Sequence, residues 1–251
     1  MFDLSGKTYL VTGASRGIGA ATAKILLESG ACVVGSYASA PGNLDSLVTD
    51  YGSKRVLPVQ ADLSQMGAAH QLWEQAVAFN GHVDGLVNNA GVMPEAYVSG
   101  SDEDWHASWH TTMMVNIQSV ADLCKYAICH FKPRGGGHIV SIASRAAFRG
   151  DGIDYMHYAA SKGAVVSLMR SIARGYARDG IYGFIIAPGW VKTDMAAVAY
   201  EPGNEWMLDE IPMGEAAPPS DVGNMVAMLM SGNVNHATGT TIDINGASYV
   251  R

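Results

Sequence analysis

Short runs of β-branched and apolar residues alternate along this chain with longer stretches in which apolar positions recur every three or four residues. That alternation predicts βαβ units and a parallel sheet. Thr8–Val11 reads as the first strand, and a helix follows from about Gly17 with Ile18, Ala21, Ile25 and Leu26 on one face. Strands at 31–34 and 55–59 flank a short helix after Pro41, and the second of them runs out at Asp62. A helix through Leu72, Trp73 and Val77 leads to a fourth strand at 83–87. One long helix is expected over 102–130, then a strand at 138–142. The helix over 156–178 carries Val165, Met169, Ile172 and Tyr176 on one face, and the next strand, 181–186, stops at Pro188-Gly189. After an irregular stretch at 190–219, a helix begins near Pro219 and a last strand covers 240–244. Right-handed crossovers would wind these strands into a doubly wound sheet, which binds ligands at the carboxyl ends of its strands.

Composition narrows the classes. The 251 residues could make two small domains, but no linker, repeat or biased tract divides them, so one domain over 1–251 is expected. At 48% hydrophobic and 16% charged, the chain can bury a large core. The formal net charge of −7 argues against nucleic acid and against an anionic membrane surface. No apolar run is long enough to span a bilayer, and the first residues do not read as a secretory signal. The three cysteines, Cys32, Cys124 and Cys129, fit no metal spacing and read as buried reduced thiols, which points to the cytoplasm. His106 and His110 stand four apart, but no Glu follows the first, so no metal is expected there.

The chemistry-bearing positions sit at strand ends. Thr12-Gly13-Ala14-Ser15-Arg16-Gly17-Ile18-Gly19 joins the first strand to the first helix, where glycines let main-chain N–H groups approach a pyrophosphate. Tyr158 and Lys162 lie four apart on one helix face, and a nearby ammonium would lower the tyrosine pKa from its ordinary value of about 10. Tyr155 has Ala159 four residues on and lacks that cation. Asn88-Asn89-Ala90-Gly91 ends the fourth strand, Ser144 follows the fifth, Pro188-Gly189 follows the sixth with Thr193 close behind, and Asn116 lies within the long helix.

Taken in order, these motifs resemble the short-chain dehydrogenase/reductase family nearly end to end, including 237–239 and 243–246 in the tail, and look most like its 3-oxoacyl-carrier-protein reductases. The resemblance implies a single-domain Rossmann fold with a seven-stranded parallel sheet, helices on both faces, and a homotetramer or dimer. It implies an oxidoreductase that moves a hydride between nicotinamide and a carbonyl or secondary alcohol. Tyr158 would be general acid or base, Lys162 would lower its pKa and hold the nicotinamide ribose, Ser144 would hold the carbonyl oxygen, and Asn116 would support a water in a proton relay. The implied cofactor set is Gly13, Ser15, Arg16, Gly17, Ile18, Gly19, Ser36, Tyr37, Asp62, Leu63, Asn89, Ala90, Gly91, Tyr158, Lys162, Pro188, Gly189, Val191 and Thr193. Within it, Asp62 would meet the adenine, Asn89 and Ala90 would pass along the adenosine, and Thr193 would contact the carboxamide or pyrophosphate. Ser141 stands where many members carry a second serine, and the run 149–154 looks slightly long.

No acid ends the second strand to bind a ribose 2′-hydroxyl, while Arg16, Ser36 and Ser39 could meet a 2′-phosphate, so NADP(H) is favoured over NAD(H). An NAD-dependent alcohol or sugar dehydrogenase, a 3-oxoacyl-carrier-protein reductase and a silent nucleotide sensor are the alternatives. The stretch 190–221 carries Asp194, Glu201, Glu205, Asp209, Glu210, Glu215 and Asp221 against Lys192 alone, which argues against an acidic carrier protein; Lys125, Lys132 and Arg134 are the other possible landing site. With Met93, Phe148, Trp190, Met195, Trp206, Met207 and Met213 nearby, a lid over 190–219 closing on a compact, uncharged ketone or alcohol is expected.

Overall fold

In the computed structural model, all residues except Met1, Pro202 and Glu205 are described, with the side chains of Met195 and Val198 also outside the description. Seven strands form one parallel sheet in the order β3-β2-β1-β4-β5-β6-β7. They are β1 Thr8–Val11, β2 Cys32–Tyr37, β3 Val56–Gln60, β4 Gly85–Asn88, β5 Gly137–Ile142, β6 Ile181–Pro188 and β7 Thr241–Ile244. The central strands β1, β4, β5 and β6 are buried on both faces, which explains their near-continuous apolar runs, while the edge strands β3 and β7 are only partly buried. The order reverses between β1 and β4, paired at Val11 and Val87, and a doubly wound sheet opens its ligand crevice at such a reversal.

One core cluster packs α1 (Gly17–Glu28), α2 (Asn43–Tyr51) and α9 (Pro219–Met230) on one face of the sheet. The other packs α3 (Ala68–Asn80), α5 (Ser119–Phe131) and α7 (Met156–Tyr176) on the opposite face. On α1 the predicted stripe is rotated. Ala23, Leu26 and Leu27 are buried, whereas Ile18 and Ile25 are half-buried. A Cβ on Gly223 would lie 2.7 Å from the Ile25 Cδ1, so this side of α1 packs against α9.

The single long helix expected over 102–130 is in fact three pieces. α4 (Asp102–Met113) passes into a π-helical turn, Met114–Gln118, before α5 begins. The Ser119 hydroxyl donates to the Val115 carbonyl at 2.7 Å across the junction. One residue of extra winding leaves apolar spacing almost unchanged, so periodicity does not reveal it. After α6 (Ala146–Arg149), the chain enters α7 through a 3-10 turn at Ile153–Tyr155.

The stretch 190–219 is less irregular than expected, with a 3-10 segment Asp194–Tyr200 and a short α8, Trp206–Asp209. Its ends are tied together: Lys192 N–H donates to Ala217 O and Ala217 N–H to Trp190 O, both at 2.9 Å. Cys124 is buried, but Cys32 is half-buried and Cys129 exposed, which corrects the expectation of three buried thiols.

Candidate active site

The loop from β1 to α1 is shaped by what stands behind it. Gly13 and Gly17 have φ of +63° and +55°, which a side chain would strain. A Cβ on Gly19 would come within 2.1 Å of the Gly13 carbonyl oxygen and 2.5 Å of Asn89 Nδ2. Asn89 Nδ2 donates to the carbonyls of Thr12 and Gly13, while the buried Thr12 hydroxyl accepts from the N–H groups of Asn89 and Ala90 at 3.0 Å each. Thr12 and Asn89 therefore stitch β1 to β4 across the crevice. The first turn of α1 has neither a side-chain cap nor an acid, so its N-terminal N–H groups and the positive end of its dipole stay available to an anion. Thr193 lies against this turn, its Cγ2 3.0 Å from a Cβ placed on Gly17.

On the other side of the crevice, Ser144 comes from the end of β5 and Tyr158 and Lys162 from α7. The Ser144 hydroxyl accepts from Ala146 N–H at 3.1 Å and hydrogen-bonds the Tyr158 phenol. Lys162 Nζ is buried, donates to the Ile142 carbonyl at 2.9 Å, and stands 5.7 Å from the Tyr158 ring centroid. Asn116, on the π-helical turn, accepts from Val92 N–H at 2.9 Å and donates to Val92 O at 2.9 Å and to Ser161 Oγ at 3.0 Å. A Cβ on Gly91 would sit 3.3 Å from Lys162 Nζ and 3.5 Å from Asn116 Oδ1, so Gly91 stands beside both side chains.

Burial dominates the acid–base properties here. It pushes Tyr158 up to about 12, against the lowering effect of the Ser144 hydrogen bond, and pulls Lys162 down to about 8. The expected lowering of Tyr158 by the ammonium is therefore not what this structure shows: desolvation outweighs it. Tyr155, the rival tyrosine, donates to Glu95 at 3.1 Å, and Ser141 accepts from Asn88 Nδ2 inside the core at 3.1 Å.

Residues 13–247 match the family described as enoyl-(acyl carrier protein) reductase. The chain is 35% identical over 254 residues to 2-dehydro-3-deoxy-D-gluconate 5-dehydrogenase of Escherichia coli K12, covering 100% of this chain and 98% of that one. It is 31% identical over 248 residues to the 3-oxoacyl-[acyl-carrier-protein] reductase of the same organism, covering 99% of each. Among solved structures it resembles a blue fluorescent protein from a metagenomic library in complex with NADPH (TM-score 0.90, 30% identity, 99% and 100% coverage). The chain belongs to the short-chain dehydrogenase/reductase family. Its relatives are dehydrogenases and reductases, and it is an oxidoreductase of that family.

Several positions expected to touch a cofactor have other work in this short-chain dehydrogenase/reductase. Ser36 is buried and its hydroxyl accepts from Gly13 N–H at 3.3 Å, so it props the glycine loop. The Asn89 side-chain amide nitrogen is likewise engaged by the loop. Leu63 and Val191 turn their side chains into the core, leaving only main chain for contacts. Tyr37 is half-buried against the α1 side of the core, and Asp62 holds Ser64 N–H and Oγ at 3.0 and 2.7 Å, which lowers its pKa. Arg16 is largely exposed and ion-paired with Asp194 at 3.2 Å.

That ion pair changes the view of the lid acids. Asp194 meets Arg16, Glu215 meets Lys192, and Glu210 meets Arg145 and Arg149. The sequence tally missed the arginines because they lie far away in the chain, so the acidic face is weaker than it reads. Glu205 and the Met195 side chain lie outside the described residues. Trp206 and Met213 are exposed and do not line a closed apolar pocket. Arg145 was the residue that motif reading passed over.

Proposed function

We propose that this chain is an NADP(H)-dependent reductase or dehydrogenase interconverting a small-molecule ketone and a secondary alcohol, with Asn116, Ser144, Tyr158 and Lys162 as its catalytic set. The observation that carries this reading is the Ser144–Tyr158 hydrogen bond, with Lys162 beside it, across the crevice from the uncapped start of α1. Ser144 holds the substrate oxygen, Tyr158 delivers its proton to that oxygen in reduction or takes it back in oxidation, and Lys162 holds positive charge nearby. The bound nicotinamide supplies the hydride. Gly13, Ser15, Gly17, Ile18, Gly19, Ala90, Gly91, Pro188, Gly189 and Thr193 shape its groove, and Arg16 meets its 2′-phosphate. The NADPH-bound relative and the lack of an acid at the end of β2 support this cofactor choice.

The segment 190–219 serves as the lid of a single domain spanning 1–251. The half-exposed edge strand β7 supports a homo-oligomer, a tetramer ahead of a dimer, working in the cytoplasm. Among the described residues, no helix is long and apolar enough to cross a membrane. The test is NADPH oxidation with a panel of ketones, keto-sugars and 3-oxoacyl thioesters, free and carrier-bound. Turnover with at least one, faster with NADPH than with NADH, is expected. Silence across the panel overturns the reading.

A further inference from the structure

Arg145 directly follows Ser144, and no motif includes it. Its main-chain N–H donates to the Pro188 carbonyl at 2.9 Å, which places it between the ends of the two strands that deliver Ser144 and Gly189. Its side chain is only 6% exposed. Nη2 reaches Glu210 Oε2 at 3.3 Å, and the guanidinium carbon lies 5.9 Å from the Trp190 ring centroid. Nη1 is buried and has no hydrogen-bond partner among the described residues. Arg149 takes a share of the same Glu210 oxygen at 3.2 Å, and Asp151 acts on Arg145 only through its field.

Other arginines of this chain show what a structural guanidinium looks like. Arg55 donates to the Leu27 and Ala31 carbonyls through Nη2 and again to Ala31 through Nε. Arg251 holds Asp243 with two nitrogens and also donates to Thr241 O. Arg145 has five N–H donors, and among the described residues its side chain makes one long hydrogen bond, to a shared oxygen, while Nη1 is buried without one. A buried charged donor left without an acceptor is costly, so this arrangement lacks a partner.

We propose that Arg145 recognises a carboxylate on the substrate, with Nη1 as the donor reserved for it. The inference rests on the oxidoreductase reading above and replaces the expected uncharged substrate with a keto-acid or hydroxy-acid. The carboxylate binds beneath the lid, flanked by Trp190, while Ser144 one residue earlier holds the reacting oxygen. Glu210 is the internal carboxylate that keeps the guanidinium in place between turnovers.

The test compares a series of straight-chain oxo-acids with their methyl esters as NADPH oxidants. For at least one chain length, the acid should exceed its ester in kcat/KM by roughly ten- to a hundredfold, mainly through KM. Arg145→Met should collapse that ratio towards one, and Arg145→Lys should restore part of it. NADPH titration of each variant reports whether the fold stands. If Arg145→Met does not fold, Glu210→Gln decides: losing the internal rival should lower KM for the acid severalfold more than for the ester. A purely structural Arg145 gives no acid-specific change. An acid-to-ester ratio of one throughout the series, or one that survives Arg145→Met, overturns the proposal. Turnover of neither series speaks against the reductase reading instead; calorimetric titration of the wild-type protein with the oxo-acids then decides for Arg145, and no heat sinks it.

Discussion

At the carboxyl ends of β1 and β4 the chain is stitched by buried contacts between main chain and short side chains, whereas segment 190–219 across the site is pinned by ion pairs. Thr12 and Asn89 make the stitches, and Gly19 has no room for even a methyl group behind them. Arg16–Asp194 and Lys192–Glu215 join exposed side chains, and Glu210 is about one-third exposed. Solvent and salt screen most of such exposed pairs, while a clash in a packed loop costs about 1–3 kcal/mol. The cofactor side is therefore expensive to alter and the lid is cheap. A shared reaction with variable substrates needs that division.

The largest effect is expected where the two regions face the same atoms. Tyr158→Phe keeps the ring and removes the phenolic hydroxyl, and with it the proton and the bond to Ser144. Turnover should fall by about 10²–10⁴-fold while NADPH still binds. A kcat above a tenth of wild type would place the proton donor elsewhere.

Gly19→Ala breaks the stitched side. The added carbon meets the Gly13 carbonyl oxygen at 2.1 Å and the tied Asn89 amide nitrogen at 2.5 Å, which leaves little room to relax. Stability should drop by about 1–3 kcal/mol in urea titrations, and NADPH affinity by at least about tenfold. An alanine variant with unchanged melting and unchanged cofactor affinity would show that the crevice gives way more easily than its contacts imply.

The acid–base pair gives a pH signature. Lys162 is pulled from 10.5 to about 8, so between those values the unfolded chain binds the extra proton and stability rises with pH. Tyr158 is pushed from 10.0 to about 12, so above pH 10 the folded protein holds the extra proton and stability falls. Urea titrations from pH 7 to 10 should show the rise, and Lys162→Met should lack it. Reduction should slow above about pH 8 as the ammonium is lost, since Tyr158 keeps its proton throughout that range. A kcat/KM that stays flat to pH 10 would detach Lys162 from the chemistry.

Strand positions were readable because a parallel sheet buried on both faces writes itself as unbroken apolar runs, as in β6. The π-helical turn that carries Asn116 was not, since a single added residue barely disturbs the apolar spacing. Motif reading brought together Ser144, Tyr158 and Lys162, but not the hydrogen bonds that Ser36 and Asn89 make to the glycine loop. Residue type names a donor or acceptor, and only coordinates say whether it is already taken. Arg145 is the converse case: an ordinary residue in the sequence, conspicuous only once it is seen buried and half-satisfied.

The smallest effect expected tests whether the two regions are independent. Arg16 belongs to the glycine loop and Asp194 to the lid, and their 3.2 Å pair is the bond that crosses between them. If Arg16 meets the 2′-phosphate of NADPH, Asp194 competes for the same guanidinium and also repels the phosphate. Asp194→Asn removes that competition without changing the size of the side chain. Because both groups are more than three-quarters exposed, solvent and salt screen most of the interaction. NADPH should therefore bind only about two- to fivefold more tightly to the variant, with NADH unchanged and the gain shrinking in high salt. Fluorescence titration of both cofactors at two ionic strengths reads this directly. An equal gain for NADH would show that Asp194 acts on the dinucleotide as a whole, and no gain for either would place the 2′-phosphate away from Arg16.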